Sequence, residues 1–227
     1  MTPCVLHNLQ ISDYKEVWDL QKSLFQEMID KKTHRQETSP LHLIMVEHPH
    51  VYTFGKSAEE NNMLATPEYL KAMGASVYHI ERGGDITYHG PGQLVVYPIF
   101  DLELLGMGIK TFVNTIEECI KGTLNELGIE SGTIPDRIGV WLDIEGKRER
   151  KIAAIGIKCS RYVSMHGLAL NANTDLRMFG HIVPCGIPDK EVTSIEKEIG
   201  RQIDMDYLKT ALGKQFADRF ALKYINN

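Results

Sequence analysis

A glycine-rich segment lies between two stretches whose residues are typical of β-strands. It reads Arg82-Gly83-Gly84-Asp85-Ile86-Thr87-Tyr88-His89-Gly90-Pro91-Gly92-Gln93. Glycine has no side chain and permits positive φ, so the backbone here could approach a ligand closely. Arg82, Tyr88 and His89 would supply polar groups around that space. The alternative is a tight strand connection with a bulge. The segment is not a Walker loop, because no Gly-Lys-Ser/Thr follows, and it lacks the spacing and helix of a dinucleotide fingerprint.

A cysteine lies outside any periodic element, in Val183-Pro184-Cys185-Gly186. Backbone amides near such a turn could favour the thiolate and also stabilise an oxyanion. Taken alone, Cys185 is equally well explained as a nucleophile or as an inert loop residue. Cys159 is a weaker rival because it continues a strand, and Cys119 lies on an apolar helical stripe typical of the core.

A lysine opens the apolar stretch Lys151-Ile152-Ala153-Ala154-Ile155-Gly156. Such a lysine is usually a solvated strand end. If its amine instead points into a cleft, burial or a positive neighbour would lower its pKa toward catalytic use. The basic turn Lys147-Arg148-Glu149-Arg150-Lys151 could steer acidic partners or could be a solvated hairpin tip.

The elements that must position these residues follow from hydrophobic periodicity. Apolar residues at spacings of three and four predict helices over residues 12–31, 67–73, 110–127 and 204–222. Runs rich in Val, Ile and Tyr predict strands over residues 41–46, 76–80, 93–100, 138–144, 151–158 and 165–171. Because strands outnumber helices and several are joined by short turns, we expect an α+β fold with a mixed or antiparallel central sheet flanked by helices.

Composition narrows the class of protein. The chain has 227 residues, a length that favours one domain over residues 1–227, although a small C-terminal subdomain from about residue 190 is an alternative. A net charge of −5 argues against a nucleic-acid binder. No apolar run approaches the roughly 20 residues of a membrane helix. Four cysteines without a Cys-x-x-Cys pair suit a reducing compartment, so we expect a soluble cytoplasmic protein.

Metal binding is not expected. His48-Pro49-His50 is the best local histidine pair among nine histidines. No cysteine or carboxylate follows at a spacing typical of zinc ligands.

The quoted motifs together resemble those of the lipoyl(octanoyl) transferase family. The similarity runs from Arg82-Gly83-Gly84 through Tyr88-His89-Gly90-Pro91-Gly92-Gln93-Leu94-Val95, and continues in Lys151-Ile152-Ala153-Ala154-Ile155-Gly156, His166-Gly167-Leu168-Ala169-Leu170-Asn171, Ile182-Val183-Pro184-Cys185-Gly186 and Thr193-Ser194-Ile195. The glycine-rich and Pro-Cys-Gly blocks together are highly specific.

The resemblance implies the fold of lipoate and biotin protein ligase catalytic domains. It also implies a reaction in which an octanoyl or lipoyl group moves from acyl carrier protein to a lysine of a lipoyl domain. The acceptors implied are the E2 subunits of 2-oxoacid dehydrogenases and the glycine cleavage H protein. The resemblance makes Cys185 the nucleophile and Lys151 its partner. The substrate-binding residues that it implies are Arg82, Gly83, Gly84, Tyr88, His89, Gly90, Ile155, Gly156, His166, Gly167, Leu168 and Ala169.

Thioester chemistry is consistent with this resemblance. A thioester donor is already activated, so we expect no ATP, no metal and no other cofactor. Two transfers through an enzyme thiol are easier than one direct transfer between proteins. The glycine-rich segment, Tyr88 and residues 93–97 could line a slot for the acyl chain. Two alternatives remain open: an ATP-dependent lipoate or octanoate ligase of the same fold, and a non-enzymatic binder of lipoyl domains.

Overall fold

Twelve strands and five α-helices make up the described part of the chain. The computed structural model describes residues 1–36, 39–146, 148–183 and 191–225. The strands are β1 (Thr2–Ile11), β2 (Leu41–Glu47), β3 (Val51–Phe54), β4 (Ser76–His79), β5 (Thr87–His89), β6 (Gln93–Ile99), β7 (Gly132–Ile134), β8 (Arg137–Leu142), β9 (Arg150–Ser160), β10 (Val163–Asn171), β11 (Glu191–Val192) and β12 (Leu222–Ile225). The helices are α1 (Tyr14–Thr33), α2 (Pro67–Ala72), α3 (Ile109–Glu126), α4 (Ile195–Ile199) and α5 (Met205–Arg219).

A nine-stranded mixed sheet forms the centre of the molecule. Its order is β12-β1-β2-β6-β10-β9-β8-β7, and β11 pairs with β9. The β12-β1-β2 and β11-β9 pairs are parallel, and the remaining pairs are antiparallel. The strands β2, β6 and β10 are buried along their whole length, which explains their near-continuous apolar sequences. The predicted α+β fold with a mixed sheet is therefore confirmed.

A second sheet, of order β4-β3-β5, carries the end of the glycine-rich segment. It has its own small core, in which Tyr52, Leu70, Ile86 and Tyr88 are buried. Short loops join its strands to β2 and β6 of the central sheet. The small sheet thus holds residues 80–92 against the central one.

The helices cover the sheet with the apolar faces that the sequence predicts. Asp13 caps α1 through its side chain, and α1 packs on β6 and β10. Helix α3 packs on α5, β8 and β9, with Phe112, Ile116 and Cys119 fully buried. The expectation that Cys119 is a core residue is confirmed.

Differences from the predicted elements lie mainly at the edges. Helix α5 ends at Arg219, before the predicted helix end at residue 222, and residues 222–225 form strand β12, which pairs with β1 of the central sheet. The predicted set also lacks β1, β3, β5, β7 and β11, and all of these except β1 are only two to four residues long. No helix in the part of the chain described is long and apolar enough to cross a membrane.

Candidate active site

The glycine-rich segment lies directly on strand β9. The N–H of Gly83 donates to the carbonyl oxygen of Ile157 at 2.9 Å. A Cβ atom added to Gly156 would lie only 2.8 Å from the carbonyl oxygen of Gly83, closer than real Cβ contacts come. Gly84 has a φ of +89°, which side-chain-bearing residues rarely adopt. The absence of a side chain at Gly156 is therefore what lets β9 and the glycine-rich segment meet.

Arg82 fixes the start of this segment to the small sheet. It is buried, with 8% of its surface exposed. Its guanidinium group donates to the carbonyl oxygen of Thr53 at 2.6 Å, to the Thr53 hydroxyl at 3.0 Å and to the carbonyl oxygen of Gly83 at 3.1 Å. Arg82 therefore positions the backbone at Gly83, in addition to placing a positive charge beside the proposed slot.

Tyr88 and His89 point into the interior instead of lining an open wall. The Tyr88 hydroxyl is 2.7 Å from Nδ1 of His50, and the ring is fully buried. A side chain at Gly90 would overlap the Tyr88 ring, so glycine is needed there. Nδ1 of His89 lies 2.8 Å from Oε1 of Gln93, and burial lowers the pKa of His89 to about 3. His89 is therefore neutral at pH 7 and donates through Nδ1.

A relay of buried amides connects this segment to the chain beyond residue 190. Nε2 of Gln93 donates to Oδ1 of Asn171 at 2.9 Å, and Nδ2 of Asn171 donates to the carbonyl oxygen of Thr193 at 3.0 Å. All three residues are almost completely buried. The relay thereby couples the start of β6, the end of β10 and the residue that follows β11.

Strands β9 and β10 bring together the second group of predicted site residues. Gly156 pairs with Gly167, Ile155 with Leu168, and Ala154 with Ala169. Gly167 packs so tightly against the backbone of Val96 that no side chain would fit. His166 precedes it with a φ of +62° and is 1% exposed.

Lys151 lies near the start of β9, half-buried and beside Trp141. Its Nζ atom is 4.6 Å from the centre of the Trp141 ring, a contact that favours the ammonium form. Gly139, on the neighbouring strand β8, lies beside the lysine stem, and its φ of +123° and the carbonyl oxygen of Ala153, 2.5 Å from an added Cβ, favour glycine there.

Cys185 lies outside the described residues, so its geometry relative to Lys151 stays a prediction. Both described flanks of its segment are anchored. The N–H of Val183 donates to the carbonyl oxygen of Asn62 at 2.8 Å. Beyond residue 190, β11 pairs with the first two residues of β9, including Lys151, and the N–H of Thr193 donates to the Lys151 carbonyl oxygen at 2.9 Å.

The described cysteines are poor nucleophiles. Burial raises the pKa of the Cys159 thiol, and it raises that of Cys4 to about 12. Cys119 is also buried with a raised pKa. Cys159 lies on β9, as predicted, but the effect of its surroundings opposes thiolate formation.

Charged residues of the turn before Lys151 form ion pairs with residues outside the turn. Arg150 makes two hydrogen bonds of 2.7 Å to Glu198, and Arg137 lies 3.0 Å from Glu149. Arg148 lies 3.8 Å from Glu191, but 75% of its side chain is exposed. Its charge therefore remains accessible from solvent. Lys147 lies outside the described residues. Among the residues that are described, no group of three metal-binding side chains occurs.

Sequence reasoning missed the buried polar residues contributed by other elements. Thr53 on β3 binds Arg82, and Asn171 links two segments. Gln21 on α1 accepts the N–H of His166 at 3.1 Å. A polar residue on the otherwise apolar stripe of α1 is the sequence signal that could have identified Gln21.

The fold and this arrangement define a class of proteins. Residues 13–217 match the family model of the lipoyl protein ligase A/B catalytic domain, and the chain belongs to that family. A bipartite lipoate protein ligase from Thermoplasma acidophilum has the same fold, with a TM-score of 0.75, 18% identity, and coverage of 100% of this chain and 87% of that one. A biotin protein ligase from Aquifex aeolicus aligns with a TM-score of 0.52 at 10% identity, covering 97% of this chain and 71% of that one.

Within that class the chain is similar to the octanoyltransferases. An octanoyltransferase of Bacteroides fragilis is 50% identical over 206 residues, which are 91% of this chain and 93% of the relative. At that identity and coverage the predicted octanoyltransferase family is confirmed, and with it the prediction of an acyltransferase enzyme.

Proposed function

We propose that this protein moves an octanoyl or lipoyl group from the phosphopantetheine thioester of acyl carrier protein to a lysine of a lipoyl domain, through a thioester on Cys185. The observation that carries the proposal is the pairing of β11 with Lys151. Strand β11 begins only a few residues after Cys185 in the sequence and lies beside Lys151 in the sheet. The high identity to octanoyltransferases over nine-tenths of the chain supports the same reaction.

The first half-reaction forms the acyl-enzyme. The Cys185 thiolate attacks the thioester carbonyl carbon, the new C–S bond forms, and the bond to pantetheine sulfur breaks. The ammonium group of Lys151 favours the thiolate and then gives a proton to the departing pantetheine thiolate. Trp141 supports this starting state, since its ring face stabilises the ammonium form.

The second half-reaction transfers the acyl group to nitrogen. The acceptor lysine attacks as the neutral amine, the C–N bond forms and the bond to the Cys185 sulfur breaks. The now neutral Lys151 takes the proton that the amine loses. Protons and charges thus return to the starting state, and the donor thioester supplies the activation. The reaction therefore needs neither ATP nor a metal.

The partners follow from the two half-reactions. The donor is acyl carrier protein, and the acceptors are lipoyl domains of 2-oxoacid dehydrogenase E2 subunits and the glycine cleavage H protein. Arg148 could attract such acidic partners, because its side chain is 75% exposed and its ion pair with Glu191 is long, at 3.8 Å. We propose the cytoplasm as the location, because a reducing compartment keeps a catalytic thiol free.

The decisive experiment mixes the protein with octanoyl-acyl carrier protein, without ATP, and records intact masses. We expect one octanoyl adduct that hydroxylamine removes and that maps to the peptide containing Cys185. Addition of an apo lipoyl domain should discharge the adduct and form a stable amide on the acceptor. Cys185→Ser should lose nearly all turnover, because an alkoxide is far harder to form than a thiolate.

Cys159→Ser and Cys119→Ser are the matched controls and should keep activity. An ATP-dependent ligase would instead show no adduct, would require ATP and would tolerate Cys185→Ser. A non-enzymatic binder would catalyse neither half-reaction. An adduct on Cys159 would refute the choice of nucleophile.

A second variant tests the proton-transfer role of Lys151. Lys151→Ala should slow both half-reactions by about 10²–10⁴-fold, the usual contribution of a general acid–base group. Lys151→Arg should not restore them, because guanidinium does not deprotonate near neutral pH. Recovery of most of the activity with arginine would show that only the positive charge matters.

A further inference from the structure

The chain between β3 and α2 contacts both parts of the proposed site. We name its residues 55–64 the connecting segment. Near its start, the N–H of Lys56 donates to the carbonyl oxygen of Arg82 at 3.0 Å, and the N–H of Ser57 donates to that of Gly84 at 3.2 Å. The connecting segment is therefore bonded through its backbone to the beginning of the glycine-rich segment.

Asn62 holds the next residue of the glycine-rich segment with its side chain. Its Nδ2 atom lies 3.0 Å and 2.8 Å from the two carboxylate oxygens of Asp85, and both residues are half-buried. Carboxylate oxygens only accept hydrogen bonds, so Asn62 has to present its NH₂ group to Asp85. Asp85 also accepts the N–H of Ile86 at 2.6 Å, which orients the carboxylate. Bonds of this kind, to a charged acceptor, are stronger than bonds between neutral groups.

The backbone of Asn62 holds the chain that leads to Cys185. Its carbonyl oxygen accepts the N–H of Val183 at 2.8 Å. The next residue, Met63, forms an antiparallel bridge with Ile182. Because Val183 is two residues before Cys185 in the sequence, this pairing fixes the described end of the chain that carries the proposed nucleophile.

Asn62 therefore belongs to both contacts, through its side chain to Asp85 and through its backbone to Val183. Asp85 follows Gly84, whose φ of +89° lies in a region where glycine moves freely. The direction of the chain at that point depends on the bonds made by its neighbours. A shift of the glycine-rich segment relative to Cys185 would separate a bound acyl group from the thiol.

We propose that Asn62 is a positioning residue for acyl transfer, which holds the glycine-rich segment in place relative to the chain that carries Cys185. This inference rests on the proposed thioester mechanism and adds a residue to it. Asn62 acts through Asp85 and has no part in the bonds that form and break.

Asn62→Asp tests this role, because it replaces the donating NH₂ group by an acceptor of the same size. Two carboxylates would then face each other at hydrogen-bond distance and repel each other. With saturating octanoyl-acyl carrier protein, we expect the rate of acyl-enzyme formation, followed by intact mass, to fall about tenfold or more, since a displacement of about 1 Å can cost about 10²-fold.

Alkylation of Cys185 by iodoacetamide provides the second readout. Its rate should stay near that of the unmodified protein, because the backbone bond of Asn62 to Val183 remains and Lys151, which favours the thiolate, is unchanged. A residue that only stabilised the fold would lower both rates together with the melting temperature. Asn62→Ala, which removes the amide without adding a charge, should act as Asn62→Asp does even if the latter folds poorly.

Combining Asn62→Asp with Asp85→Asn exchanges the two partners and keeps the net charge. The amide at position 85 can then donate to the carboxylate at position 62, and most of the acylation rate should return. Asn61→Asp is the matched control, because it adds the same charge to the neighbouring, exposed residue. It should leave the acylation rate unchanged.

Three results would overturn the positioning role and leave the proposed transfer standing. They are an unchanged acylation rate in Asn62→Asp and Asn62→Ala, an equal loss in Asn61→Asp, and a parallel loss of acylation, alkylation and melting temperature that the exchanged pair does not restore. Absence of an octanoyl adduct on the unmodified protein would overturn the transfer itself.

Discussion

Gly156→Ala tests whether the close approach of β9 and the glycine-rich segment positions the site. The new methyl carbon would start 2.8 Å from the carbonyl oxygen of Gly83 and 3.2 Å from Cδ of Arg82. The first neighbour is backbone and cannot rotate away, so the segment must move by several tenths of an ångström. Overpacking of this kind costs about 1–3 kcal/mol. For a chain of this length, each kcal/mol lowers the melting temperature by roughly 2–4 °C.

Gly156→Ala should lower the rate of octanoyl transfer strongly while the protein still folds. Displacing a site by about 1 Å can reduce the rate about 10²-fold, because the reacting groups no longer meet in productive geometry. We therefore expect kcat/KM for octanoyl transfer to fall about 10²-fold while the protein still melts cooperatively. Intact-mass kinetics and thermal unfolding measure the two effects separately.

Gly180→Ala is the matched control, because an added Cβ there meets no atom within 4 Å. It should change neither measurement appreciably. If Gly156→Ala melts and transfers octanoate as Gly180→Ala does, the contact between Gly83 and Gly156 does not position the site.

Two further predictions concern the buried polar network. Asn171→Leu should lower the free energy of unfolding by about 2–4 kcal/mol in a denaturant titration, because the buried amide of Gln93 and the carbonyl of Thr193 each lose a partner. The folded-state pKa of His89, about 3, lies below its ordinary value, so the unfolded chain binds the proton first as the pH falls. Stability should therefore be complete above about pH 6.5 and should decline toward pH 3, by up to about 1.4 kcal/mol per pH unit from this histidine.

Each of these has its own control. Asn114→Leu changes an exposed asparagine on α3 and should leave the denaturation midpoint nearly unchanged, so an equal loss in both variants would contradict the relay. With His89→Gln, the free energy of unfolding should decline less steeply as the pH falls toward 3. The same decline with and without His89 would show that burial of this histidine does not cause it.

The predicted elements succeeded where local periodicity is strong. The apolar stripe of α3 and the apolar runs of β9 and β10 predict segments close to the observed ones. Strand β12 was not predicted, and its first residue falls at the end of the predicted helix, because its partner β1 lies more than two hundred residues away in the sequence. Strand β5 is three residues long and lies inside a segment that looks like a loop.

The residues of the candidate site also fall into two groups, those that the sequence indicates and those that only packing brings together. The residue pattern alone drew attention to the glycine-rich segment, and the combined motifs indicated the family. The catalytic roles of Cys185 and Lys151 follow from the resemblance to that family and stay predictions. Only the tertiary structure decided that Arg82 binds Thr53 and that Gly83 touches Gly156. It also brought Gln21 to His166 across 145 residues of sequence. These contacts depend on how two sheets and a helix pack, and packing joins residues whose separation along the chain carries no local signal.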